Sequence, residues 1–473
     1  MLFPSITFLF YFLPLFFIGY CATPGITAKN LFLLLASLLF YAWGEPWFVI
    51  VLIGLIALNY CAALVIGAAA GRRRILATAI GVAVNLLVLG LFKYSDFAIG
   101  ALNAVLPNGA GTFALPGLAL PLGISFFTFH SISYLIDVHR GQVVANRSPL
   151  EVAVYIAMFP QLVAGPIIRY HTISHQLAQR RMTLGRASAG LRIFVIGLAQ
   201  KVLIADEVAR IADTVFDKVG EPSFLEAWLG LGAYSIQIYF DFAGYSNMAI
   251  GLGLALGFAF PRNFRLPYTA GSITEFWRRW HISLSQWLRD YLYVPLGGSR
   301  GSAVETYRNL WLVFLLCGLW HGANWTFVIW GVHHGCFLVV ERAGLMRRLE
   351  RAPVVVARFY AVIAVMTGWI WFRARDFDHA LTFFASLVGF HGWADLSMST
   401  HIVLHPATLA AMVIGVVLAT IRIDVARSFR LTLARAAGPV YALADTVAIA
   451  VFLGLSVLSI AAGSYSPFLY FRF

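Results

Sequence analysis

Two strongly apolar runs, LWLVFLLCGLW at 310–320 and WTFVIWGVHHGCFLVV at 325–340, flank the four residues HGAN at 321–324. An ionisable side chain set in apolar surroundings is expensive, and is by default a candidate for function. An imidazole at His321 can take a proton from a hydroxyl near neutral pH and return it later, as a general base and then a general acid. Its neighbours add groups that could stabilise developing negative charge: the amide of Asn324 and the indole N–H groups of Trp320 and Trp325. The same spacing also fits a buried neutral histidine satisfied by a backbone carbonyl, and spacing alone does not choose.

A second concentration of chemistry lies upstream, in EFWRRWHISLSQWLRDYLYVPLGG at 275–298. Arg278, Arg279 and Arg289 carry planar donor forks suited to the phosphates of a nucleotide-bearing donor such as coenzyme A. Anchoring to lipid headgroups explains any one of them equally simply. His281 stands among them. Asp241, inside the apolar segment YFDFAGYSNMAIGLGLALGF, needs a partner, with Tyr245, Ser246 or a histidine of another helix as candidates. Structural hydrogen bonding is favoured there over direct catalysis. His333 and His334 lie near the cytoplasmic end of the return limb and read as interfacial; with no HExxH and no carboxylate near these two histidines in sequence, no metal site is expected. The sequence has neither a G-x-S-x-G nucleophile elbow nor a Walker loop.

What must position these residues is a membrane scaffold. Of 473 residues 60% are hydrophobic and 12% charged, and the mean hydropathy is +0.81; soluble domains carry about 25% charged residues. Apolar segments fall near 4–21, 30–43, 47–69, 75–92, 121–138, 150–168, 188–205, 227–257, 309–320, 325–340, 353–372, 402–421 and 441–462. Residues 1–21 lack a basic n-region and an A-x-A-type site, and read as a retained first helix. Cys21, Cys61, Cys317 and Cys336 lie in or beside apolar runs and read as small core residues. The net charge of +13 is read as arginine-rich cytoplasmic loops rather than a nucleic-acid surface.

Arginine placement gives an orientation. Arg72, Arg73 and Arg74 put the end of the third segment inside and the N-terminus outside. The Gly-, Pro- and Asn-rich stretch 94–120 is then an outside loop, as is the acidic 206–226, while Arg422, Arg427, Arg430 and Arg435 mark an inside loop and the tail SYSPFLYFRF ends outside. Segment 150–168, with Pro160 and Pro166, has basic loops at both ends and is expected to dip in and return as a broken helix. Arg308 precedes the run 309–320 and Arg342, Arg347, Arg348 and Arg351 follow 325–340, so this hairpin also enters and returns. Twelve helical residues rise roughly 18 Å, which carries His321 to depth from the cytoplasm. Between 275 and 291 the apolar residues recur every three or four positions, predicting an amphipathic helix lying at the cytoplasmic interface.

The sequence resembles the membrane-bound O-acyltransferase family, in its branch of alginate O-acetyltransferases. The resembling text includes FYAWGEPWF at 40–48, GISFFTFHSISYLIDVHRG at 123–141, FPQLVAGPIIR at 159–169, KVLIAD at 201–206 and YFDFAGYSNMAIGLGLALGF at 239–258. It continues with RNFRLPYTAGSITEFWRRWHISLSQWLRDYLYVPLGG at 262–298 and LWHGANWTFVIWGVHHG at 319–335. The resemblance implies an all-α polytopic membrane protein, one domain over 1–473: a bundle of about 11 or more helices with re-entrant and interfacial helices around a central funnel. It places the family's essential histidine on His321 and a second histidine on His281. It further implies acetyl transfer from a cytoplasmic donor, acetyl-CoA, with no bound cofactor, across the bacterial inner membrane. A periplasmic acetyltransferase partner would then esterify a polysaccharide such as alginate. Where the family reads DFSGYSDMAIG this chain has Ala243 and Asn247, so a role for that second acid does not carry over. Transfer of D-alanine or another acyl group to an envelope polymer, and transport of a polysaccharide or lipid, are the alternatives. The paired broken-helix repeats common in transporters are not visible.

Overall fold

The structure, a computed structural model, describes residues 1–106, 112–421, 423–463 and 468–469, with the backbone alone over 423–436. Among these residues every regular element is helical. Two compact units can be distinguished, Met1–Leu191 with Ala249–Pro261, and Arg192–Met248 with Arg262–Phe473.

The first unit holds α1 (Leu13–Ala22), α2 (Ile26–Gly44), α3 (Phe48–Ala68), α4 (Gly71–Val105), α5 (Ile124–His139), α6 (Pro149–Ala157), α7 (Phe159–Leu162) and α8 (Tyr170–Ala178). On α3 the buried residues Leu52, Leu55, Asn59, Ala63 and Ile66 recur every three or four positions, while Ile50, Ile53 and Val65 are exposed. An exposed apolar face over a partly polar interior suits lipid rather than water. Asn59 and Asn85 exchange amide hydrogen bonds of 3.0 and 2.8 Å between α3 and α4. The segment 150–168 is broken, as Pro160 and Pro166 require: α6 and α7 part at Met158, and 163–168 run as buried, non-helical chain. The outside loop expected over 94–120 begins later, because α4 continues through its helix-compatible sequence to Val105; residues 107–111 lie outside the described residues.

Next in the chain is α9 (Leu184–Ala199), whose residues from Arg192 belong to the second unit and which passes through a π-helical turn, Gln200–Ala205, into α10 (Asp206–Asp217). The acidic loop expected from 206 is therefore largely helix. Its buried residues Val208, Ile211, Ala212 and Val215 make one apolar stripe, and its acids Asp213 and Asp217 pair with Arg373. Then come α11 (Phe224–Ala255), α12 (Ile273–Arg279), α13 (Ile282–Leu288), α14 (Ala303–His321) and α15 (Trp325–Val340). The helices Val354–Arg373, Phe377–Leu387, Pro406–Thr420 and Ile423–Ala461 follow. The inside loop expected around 422–435 is backbone helix from Ile423, and its arginine side chains lie outside the described residues. Of the tail 464–473, Phe468 and Leu469 alone are described.

Among the described residues six helices are long and apolar enough to cross a membrane. The chain is a multi-pass membrane protein. The pair α14–α15 is not among those six, and forms a tight hairpin. A Cβ on Gly318 would lie 2.2 Å from the Phe327 carbonyl oxygen, and one on Gly331 would lie 2.3 Å from that of Phe314. Only glycine lets the two backbones approach so closely. α14 starts six residues before the apolar run, at a capping box. The Ser302 hydroxyl accepts from the Glu305 amide at 3.3 Å, and the Glu305 carboxylate accepts from the Ser302 amide at 2.7 Å. Its 19 residues rise roughly 28 Å, more than the apolar run alone predicts.

Candidate active site

His321 is the last residue of α14 and is buried. Three aromatic rings surround the imidazole: Trp320 at 4.8 Å between centroids, Trp330 at 4.9 Å and Phe372 at 5.2 Å, all edge-on. α14 brings it there because Asn309, Val313, Cys317 and Trp320–His321 fall on one buried face. Trp330 comes from α15 one hairpin turn later, and Phe372 from the helix Val354–Arg373.

Trp320 also links His321 to His281, whose ring lies 6.1 Å from the indole. Phe242 of α11 meets the other side of His281 edge-on, at 4.6 Å. The helix expected over 275–291 is in fact two, α12 and α13, broken at Trp280–His281. His281 takes a left-handed backbone conformation, φ 42°, which costs of order 1–3 kcal/mol at a non-glycine residue. The aromatic and apolar residues expected at an interface are packed inside: Trp280 and Leu284 are fully buried, and Trp277 and Trp287 nearly so. Burial pushes the His281 imidazole down to about 3. At neutral pH it is uncharged and holds a lone pair on one ring nitrogen.

A cavity of about 410 Å³ opens against this hairpin, lined among others by Arg278, Arg289, Trp277, Tyr293, Phe314 and Cys317. Cys317 precedes His321 by four residues, about one helical turn and about 6 Å of rise. Arg278 and Arg289 are exposed, and Arg289 also pairs with Asp290 at 2.8 Å. Arg279 is committed elsewhere: its guanidinium pairs with Glu275 and donates to the Thr269 hydroxyl at 2.6 Å. Of the three arginines expected at the donor, Arg278 and Arg289 line this cavity and Arg279 does not.

Of the supporting residues, Trp320 is in the site. Asn324 caps α15, accepting from the Thr326 amide at 3.1 Å, and donates to the Arg375 carbonyl at 3.1 Å. Trp325 is 59% exposed. The turn places both by capping geometry and turns Trp325 outward. The indole of Trp330, not that of Trp325, packs against His321: it is buried, and its Nε1 makes no hydrogen bond among the described residues. Asp241 belongs to a separate cluster. Its carboxylate pairs with Lys201 at 2.7 Å and accepts from the Leu469 amide at 2.8 Å, while Lys201 also pairs with Asp206. Its partner is therefore a lysine on the π-helical turn, not Tyr245, Ser246 or a histidine. Asn247, at the position where an acid was expected, donates to Gln200 at 2.8 Å.

Sequence reasoning also missed Glu341. Its carboxylate accepts from the Ile273 and Thr274 amides at 2.6 and 2.9 Å and from the Thr274 hydroxyl at 2.6 Å, anchoring the start of α12. It lies far from α12 in the chain, so no local pattern announces it. His334 is buried and accepts from the Trp277 indole at 3.4 Å, so it is packed inside rather than interfacial, while the half-buried His333 bonds the Ala364 carbonyl at 2.8 Å. No group of three or more potential metal ligands occurs among the described residues.

Among the described residues this helical membrane protein buries His281 and His321 among aromatic rings, beside a cavity lined by Arg278 and Arg289. The chain belongs to the membrane-bound O-acyltransferase family, whose model matches residues 113–373. It is 44% identical to the probable alginate O-acetylase AlgI of Azotobacter vinelandii, over the whole of both chains. It is 39% identical to the peptidoglycan O-acetyltransferase of Helicobacter pylori, covering 83% of this chain and 80% of that one. A teichoic acid D-alanyltransferase of Bacillus subtilis is 28% identical, over 54% of this chain and 70% of the other. The protein is an O-acyltransferase.

Proposed function

We propose that the protein transfers acetyl groups from cytoplasmic acetyl-CoA across the bacterial inner membrane, for O-acetylation of a secreted or envelope polysaccharide such as alginate. The observation that carries this reading is the placement of His321, buried in an aromatic cage one helical turn from a cavity edged by Arg278 and Arg289. The two guanidinium groups suit the phosphates of coenzyme A. In the reaction His321 takes the proton of the acceptor hydroxyl as its oxygen bonds to the acetyl carbonyl carbon. The C–S bond then breaks and the thiolate leaves with that proton. The indole N–H groups of Trp330 and Trp320 favour the negative charge on the carbonyl oxygen, and His281 assists proton transfer or donor placement. The acetyl group passes to a periplasmic acetyltransferase partner, with the N-terminus of this chain on the periplasmic side. Relatives named as alginate and peptidoglycan O-acetylases support acetyl as the group and a polysaccharide as the destination.

The test supplies inverted membrane vesicles containing the protein with acetyl-labelled acetyl-CoA or with a D-alanyl carrier. Label entering vesicle-enclosed acceptor from acetyl-CoA alone is expected. Transfer from the D-alanyl carrier alone would replace acetyl by D-alanyl.

A further inference from the structure

Asn263 holds His281 and the residues that follow it, through both backbone and side chain. The Ile282 amide donates to the Asn263 carbonyl at 2.9 Å. The Asn263 side-chain oxygen accepts from the Ser283 amide at 3.2 Å and the Ser283 hydroxyl at 2.9 Å, and lies 3.1 Å from His281 Nδ1. Its Nδ2 donates to the Ser246 hydroxyl on α11 at 3.0 Å. Asn263 and His281 are buried.

These contacts decide a proton. A backbone amide can only donate, so the Asn263 atom facing Ser283 is the carbonyl oxygen. That oxygen has no hydrogen to give, so His281 Nδ1 must carry one. A neutral imidazole with hydrogen on Nδ1 has its lone pair on Nε2. We propose that Asn263 is a positioning residue for the acyl transfer, fixing His281 as the Nδ1–H tautomer and making Nε2 the proton-accepting atom of the ring. The inference rests on the assignment of His281 to proton transfer or donor placement. Fixing the hydrogen on one ring nitrogen through a neighbouring acceptor is a general way of aiming a histidine. Asn263 comes from the chain just after α11 and His281 from the break between α12 and α13, so the bond also sets where the ring points. Titratable groups on the packed elements include His321 on α14 across the Trp320 ring, Cys317 on α14, Asp241 held by Lys201 with Tyr239 and Tyr245 on α11, and Arg278 and Arg279 on α12, Arg279 held by Glu275.

The experiment compares purified full-length wild type, Asn263→Ala, Asn263→Asp and His281→Gln for acetyl-CoA turnover across pH. Asn263→Ala is expected to lose at least tenfold in kcat while unfolding at a temperature close to wild type. Asn263→Asp keeps an acceptor at Nδ1, so it should recover most of that loss. Its carboxylate favours the imidazolium, so the acid limb of its pH profile should move to higher pH. Equal losses in the Ala and Asp variants, with no movement of the acid limb, would show a purely structural role and overturn the inference. So would wild-type kcat in Asn263→Ala beside a defective His281→Gln. Wild-type turnover in His281→Gln would instead remove the underlying assignment of His281.

Discussion

At the scale of single residues, the site divides by what each side chain can exchange with its surroundings. Trp330 presents a buried indole N–H, unbonded among the described residues, within a ring 4.9 Å from His321. Trp330→Phe keeps the ring and removes the donor, and is expected to lower kcat by about 10²- to 10³-fold, the range for one lost oxyanion donor, with KM little changed. Steady-state kinetics on acetyl-CoA turnover checks this, and an unaltered kcat would remove Trp330 from the mechanism. Arg278 and Arg289 reach the cavity without reaching His321. Alanine at both should raise KM for acetyl-CoA by about tenfold or more, the worth of roughly 1.4 kcal/mol of lost charge-assisted bonding, and leave kcat nearly intact. A fall in kcat without a change in KM would contradict a donor-binding role.

At the scale of elements, the hairpin α14–α15 and the broken pair α12–α13 carry the site, and the sequence announced them unequally. Arginines on both flanks of 309–340 marked a hairpin with His321 at its turn, because charge placement is local and strong. The helix break at His281, within a continuing amphipathic pattern, was invisible, since Asn263, which is remote in the chain, bonds Ile282, Ser283 and His281 there. Periodicity shows which residues seek burial and says nothing of a left-handed residue between them. Asp241 was recognised as needing a partner, but its partner Lys201 sits on a π-helical turn. An isolated lysine in the apolar text KVLIAD was the signal for it. Lys201→Met should destabilise the fold by about 3–5 kcal/mol, because removing one member of a buried ionic cluster leaves uncompensated charge. Thermal unfolding in detergent reads this, and a melting temperature equal to wild type would show the cluster to be dispensable.

At the scale of the whole molecule, the long apolar helices identify a multi-pass membrane protein, and the basic loops supply an orientation. The proposed orientation has α14–α15 enter and return on the cytoplasmic face, so cysteines introduced at Ser302 and Gly344, in a background without native cysteines, are expected to react with an impermeant maleimide from the cytoplasmic side alone. Labelling of the two from opposite sides would make α14–α15 a crossing pair and end the route of His321 from the cytoplasm. The most direct test of the central claim is acetyl transfer by a His321→Ala protein shown to be folded by its thermal unfolding and its elution as a single species. General-base catalysis by His321 predicts that donor binding persists while turnover of acetyl-CoA falls by at least about 10²-fold. A folded His321→Ala protein that acetylates at the wild-type rate would contradict it.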